Sequence, residues 1–214
     1  MNTGIAIALI LVMLLVFTAG GFYVRYKLYQ VLKREVKSGD LDRFFKRLDG
    51  FFAKTFLSVY ARESLRFGGL TRRGDKALMA QQFSALMTLK MNDSQKAMLL
   101  ADGFNAFASV HDRKHAERIL REMGKVGMTD RQLAAYQRHF DIVLDHKTSG
   151  YLTPLENTYA TLSGRRRGYA AYLLFKIHEQ LHDGKADAFR DEAAQLYGIP
   201  ADELNRRIHV NTTV

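Results

Sequence analysis

The hydrophobic pattern of this chain changes character once, near its start. Residues Gly4–Val24 carry no charge, and Leu9–Phe17 is apolar without interruption. As a helix rising about 1.5 Å per residue, such a run covers ~30 Å, the thickness of a bilayer's hydrocarbon core. It predicts a transmembrane anchor over residues 1–24. The first charge is Arg25, and Tyr23, Tyr26 and Tyr29 follow one another at three-residue spacing. Aromatic rings and cations in that position suit a membrane interface, so Tyr23, Arg25, Tyr26, Lys27 and Tyr29 are the expected interfacial residues. Residues 25–37 then form a basic juxtamembrane helix. Met1-Asn2-Thr3 has no basic residue, whereas Arg25, Lys27, Lys33, Arg34 and Lys37 follow the apolar run. This order favours a retained anchor over a cleaved signal peptide. The positive-inside rule places the later residues in the cytoplasm and the N-terminus outside. The expected location is therefore the cell membrane, as a single-pass protein. Gly4 and Ala8 form a small-xxx-small pair through which two anchors can associate into a homodimer.

From residue 24 onward the apolar positions keep a helical period. Val24, Leu28, Val31, Leu32 and Val36 form one stripe; Leu41, Phe44, Phe45, Leu48, Phe51 and Phe52 form a second. Leu133, Tyr136, Phe140, Val143 and Leu144 form another, with shorter stripes at Ala116–Met123 and Ala186–Leu196. Spacings of three and four predict amphipathic helices, and no alternating pattern predicts a strand. Helix starts are marked by Asn92, by Thr129 with Gln132, and by Thr153-Pro154 with Glu156. Tight turns are predicted at residues 38–40, 73–75, 111–113, 148–150 and 182–184, about 35 to 38 residues apart. Weaker breaks fall between them, near Lys54, Asn92, Val126, Gly164 and Gly198. Two helices per interval describes stacked helical hairpins, each needing its neighbours to bury its apolar face.

With Phe107 at a first-helix aromatic position and Ala116, Leu120 and Met123 at second-helix packing positions, Leu100–Met123 resembles a tetratricopeptide repeat. Phe104 and Met123 stand where that family prefers small residues, and every interval exceeds 34 residues. The resemblance extends over roughly residues 22–197. It implies an all-α fold, with residues 38–214 as a TPR-like hairpin-repeat domain, and an activity of binding rather than catalysis. By that analogy a partner meets polar residues of the first helices, among which Arg62, Arg66, Asn105, Arg138, Tyr169 and Tyr172 are candidates.

Charge and chemistry adjust this picture only locally. The net charge is +10. Residues 25–75 hold 13 Lys/Arg against 6 Asp/Glu, most of that excess. A basic excess beside an anchor favours anionic lipid headgroups over nucleic acid, so lipid headgroups are expected partners and nucleic acid is not. The absence of cysteine excludes disulfides and thiolate chemistry. His178-Glu179-Gln180-Leu181-His182 matches the H-E-x-x-H pattern, which resembles the zinc metallopeptidase signature: two histidines on one helical face and a glutamate base. The extended form of that signature fails at Lys185 and Ala188, and only Glu192 or Glu203 is available as a third ligand. His111 and His115 are separated by a predicted turn. Gly68-Gly69 and Gly124–Gly127 lack a phosphate-loop pattern, and Arg165-Arg166-Arg167 reads as a loop. No catalytic, metal or cofactor-binding residue is therefore assigned, and no cofactor is implied. The expected function is a membrane-tethered adaptor that binds a protein partner. The alternatives are a membrane-bound zinc peptidase using His178, Glu179 and His182, and a lipid- or nucleic-acid-binding helical domain.

Overall fold

The structure, a computed structural model, describes the backbone of residues 3–213 and the side chains of residues 19–213. Among these the regular structure is entirely helical. The chain divides into two compact units, Met1–Leu89 and Lys90–Val214.

The first unit contains α1 (Thr3–Ser38), α2 (Leu41–Leu48), α3 (Phe51–Phe56), α4 (Val59–Arg73) and α5 (Lys76–Met87). The expected single-pass anchor is not upheld, because among the described residues no helix is long and apolar enough to cross a membrane. The described part of α1 is built for a protein neighbour instead. Leu28 and Leu32 leave solvent in one core with Phe44, Leu48, Ala53 and Leu57, while charged residues from Arg25 to Lys37 occupy its other faces. The transmembrane fold class, the single-pass location and its orientation fall together. The apolar positions 4–18, and with them the Gly4–Ala8 pairing, lie outside the described side chains.

The second predicted stripe is also divided. Asp49 and Gly50 end α2 and begin α3. Phe44 and Leu48 therefore stay buried, whereas Phe51 and Phe52 face solvent at 75% and 60% exposure. The break expected near Lys54 lies inside α3; the real ones are at Gly50 and Leu57. A β-carbon on Gly69 would lie 2.5 Å from the Phe44 ring, so α4 can approach α2 this closely only through glycine.

The second unit contains α6 (Asp93–Ser109), α7 (Arg113–Met123), α8 (Asp130–His139), α9 (Leu152–Tyr159), α10 (Gly164–Leu181), α11 (Ala186–Tyr197) and the single-turn α12 (Leu204–Arg207). α6 packs on α7 and α10 on α11 as the most extensive helix pairs of this unit. Capping boxes form at Asn92–Gln95 and Thr129–Gln132. The one anticipated at Thr153–Glu156 does not, because α9 already begins at Leu152, with Tyr151 at its cap.

Each of the five predicted tight turns contains a residue of positive φ: Gly39, Gly74, His111, Gly150 and His182. Two of these are histidines, which accept the left-handed conformation at a cost that glycine avoids. α8 runs into one π-turn, Phe140–Leu144, with every residue buried and the Asp145 N–H bonded to the Phe140 carbonyl at 3.0 Å. The wider turn keeps Phe140, Val143 and Leu144 on the core side.

Candidate functional site

The second unit carries the densest polar and aromatic constellation, on a face shared by α6, α8 and α10. It is built on an aromatic ladder. Phe104 of α6 meets Tyr136 of α8 edge-on at 5.1 Å and His139 at 5.9 Å. His139 lies parallel to Tyr169 of α10 at 6.0 Å and stacks on Tyr172 at 6.1 Å. His139 falls three residues after Tyr136, on the same buried stripe. Helical period alone therefore carries a titratable group into the core. Its Nδ1 lies 3.0 Å from the Tyr169 hydroxyl, a hydrogen bond that satisfies both rings away from water. Burial, with smaller contributions from His209 and Arg138, pushes the imidazole down to about 3, so it is neutral at physiological pH. Burial likewise raises the phenols of Tyr169 and Tyr172, and that of Tyr136 to about 12.

Across this face runs the segment after α12. Leu204 and Ile208 are buried, while Arg206, Arg207 and His209 between and beside them are exposed. The Val210 N–H donates to Asn105 Oδ1 of α6 at 2.9 Å. The Asn211 backbone bonds the Tyr169 hydroxyl and lowers its pKa, as an N–H donor does. Arg131 at the start of α8 donates to the Thr213 carbonyl at 3.3 Å. The Tyr172 hydroxyl donates to Asn205 Oδ1 at 3.1 Å. Three of these four contacts are made to main chain. His209 faces Asp102 of α6, and partial desolvation shifts both toward their neutral forms, each opposed by the other's charge.

Of the six first-helix candidates, Asn105, Tyr169 and Tyr172 therefore meet on this face, and Arg138 bears electrostatically on His139 and Tyr169. Arg62 and Arg66 belong to the first unit. There Arg62 pairs with Glu63 at 3.1 Å, and Arg66 pairs with Asp49 and Glu63. The Arg66 guanidinium holds Asp49 below the usual carboxylate range. This segment is not reached from the sequence, since it makes its contacts with residues far away along the chain. The apolar spacing of Leu204, Ile208 and Val210 was its one available signal.

The H-E-x-x-H residues diverge. His178 is 2% exposed, stacks on Phe189 at 5.2 Å and bonds Asp183 Oδ2 through Nδ1 at 2.6 Å. Glu179 pairs with Lys176 at 2.8 Å. His182 leaves the helix in the left-handed conformation and is exposed, so it does not continue the face of His178. Among the described residues no group of three or more histidines or carboxylates is arranged to hold a metal ion. Arg165-Arg166-Arg167 is helical rather than loop, in the first turn of α10. Arg167 overcomes the unfavourable helix dipole by bonding Glu192 of α11 at 2.7 Å and lying over the Tyr159 ring at 4.6 Å. His115 caps back onto Asp112 at 2.8 Å and stacks on Phe107.

In the first unit Tyr23, Tyr26 and Tyr29 are exposed together with Phe22, Phe51 and Phe52. Arg25 donates to the Phe56 carbonyl at 2.8 Å, and Lys27 sits 5.5 Å from the Tyr23 ring. Arg25 thus ties α1 to α3, whereas Lys27 and Tyr23 meet within α1 and the aromatic side chains remain exposed.

No protein-family model matches this chain, and neither the curated proteins nor the solved structures include a significant match to it.

Proposed function

We propose that this protein is an adaptor whose TPR-like second unit binds a protein partner as an extended segment laid across α6, α8 and α10. The observation that supports this reading is how that face treats a peptide backbone. Asn105 and Tyr169 each take a main-chain N–H, and Arg131 takes a main-chain carbonyl. Side chains that satisfy successive main-chain groups recognise an extended chain before they discriminate its sequence. The rigid aromatic ladder beneath fixes their positions, so little conformational entropy is lost when a segment docks. The function requires no chemical step.

The test is selection of displayed peptides against the whole protein, followed by affinity measurement on Asn105→Ala and Arg131→Ala. Losing one hydrogen bond to a buried main-chain group is expected to weaken a selected peptide about fivefold to thirtyfold. Selected peptides whose affinity is indifferent to both substitutions would place binding elsewhere and overturn the reading.

A further inference from the structure

We infer that residues 205–213 are an intramolecular plug: they occupy the position of the partner's segment, and a partner binds by displacing them. This inference rests on the reading that the α6–α8–α10 face binds extended peptide.

Three features of the segment make it an occupant rather than a part of the scaffold. Its hold on the face comes largely through main chain, at Val210, Asn211 and Thr213. Any chain that is extended over the positions of Ile208–Asn211 and turns at the positions of Thr212 and Thr213 can make those bonds. Its apolar anchors are few: Ile208 is buried and Val210 half-buried, with exposed His209 between them. It begins in α12, a single turn preceded by the short 3₁₀ turn Ala201–Glu203, with buried Leu204 as its fixed end. One helical turn is not stable alone and persists only through what it packs against. Segments of this kind belong to the low-stability end of a structure and open without global unfolding.

The same features describe the competing ligand. It is a protein segment extended at its centre, with branched apolar side chains two residues apart, at the positions of Ile208 and Val210, and between them a residue that faces the Asp102 carboxylate as His209 does. A polar side chain follows where Asn211 lies. Because the plug is covalently attached, it competes at an effective concentration on the order of millimolar. An intermolecular segment pays for that competition in apparent affinity, in proportion to the fraction of molecules that are open.

The experiment uses the whole protein and a fluorescent synthetic peptide of residues 203–213. Anisotropy titrations compare the native protein with Ile208→Asp, which removes the buried anchor, and with Val210→Pro, which removes the N–H that Asn105 accepts. Both variants are checked for native helicity by circular dichroism, and Val210→Pro serves if Ile208→Asp does not fold. The peptide is expected to bind the opened variants about tenfold to a hundredfold more tightly than the native protein, and Asn105→Ala added to the opened variant is expected to reverse much of that gain. Equal affinity for native and opened proteins, still lost on Asn105→Ala, would reject the plug and leave the peptide-binding face standing. No binding by an opened, folded variant would reject both.

Discussion

Replacing Phe104 by alanine is expected to lower the stability of the Lys90–Val214 unit by roughly 3–5 kcal/mol. Phe104 has no solvent exposure. Its ring is the first member of the ladder, edge-on to Tyr136 and near His139. Truncation removes the transfer free energy of the ring and leaves a cavity between α6 and α8. The neighbours cannot easily collapse into it, because His139 and Tyr169 are held by their mutual hydrogen bond and Tyr172 by Asn205. For a unit of this size the whole stability is about 5–15 kcal/mol, so the variant approaches unfolding at room temperature. Urea denaturation followed by far-ultraviolet circular dichroism measures the loss. A change below about 1 kcal/mol would mean that the ladder is not the packed centre of this unit. Phe104→Leu, which keeps most of the volume, is expected to lose considerably less.

The second large effect is acid lability set by His139. Its imidazole titrates near 3 in the folded protein because burial disfavours the charged form, against about 6.5 when the chain is unfolded. Between those values the unfolded chain binds a proton that the folded chain refuses. Stability is therefore complete above pH ~6.5 and declines as the pH falls toward 3, by roughly 1.4 kcal/mol per pH unit. The Asp49 and Glu63 carboxylates of the first unit, held low by Arg66, Arg62 and Gln82, lose their contributions only at lower pH, as they become protonated. Denaturation midpoints of the native protein and of His139→Gln, measured from pH 7.5 to 4.5, separate the two effects. The variant should be less stable at neutral pH, with a flatter profile below 6.5. Parallel profiles would show that His139 is not the group responsible.

How much of this was legible in the sequence depended on whether the signal was local. The tight turns at Gly39, Gly74 and Gly150 were readable because a left-handed backbone strongly favours glycine. Those at His111 and His182 were readable because the apolar period lapses there. The caps at Asn92 and Thr129 were readable because a cap is satisfied within four residues. The boundary inside Leu41–Phe52 was not. An i, i+3, i+4 pattern describes which residues can share a face, and it continues unbroken through Asp49-Gly50, where the chain turns so that α2 and α3 both pack on α1. Arg165–Arg167 looked unsuited to a helix start by local electrostatics. Glu192, supplied by another helix, reverses that balance.

The candidate site divides in the same way. Asn105, Tyr169 and Tyr172 could be singled out as polar residues on first helices, but nothing local showed that they meet. The spacing of His178, Glu179 and His182 suggested a ligand set, and the left-handed turn at His182 with the Asp183 bond to His178 disperses it. The expected anchor over residues 1–24 rested on an uncharged apolar run and on the aromatic and basic residues that follow it. Hydropathy records the cost of leaving residues in water but not the neighbours available to cover them, and Leu28 and Leu32, a few residues on along the same helix, are covered by protein.

By itself, then, the sequence determined an all-helical chain, the position of most of its turns and the composition of its apolar faces, because each of these is decided by interactions spanning a few residues. The tertiary structure decided that a histidine is kept neutral in the core, that an H-E-x-x-H pattern does not converge, and that residues 205–213 lie across α6, α8 and α10. The main-chain bond from Val210 to Asn105 joins positions 105 residues apart, and no periodicity along the chain encodes a contact at that distance.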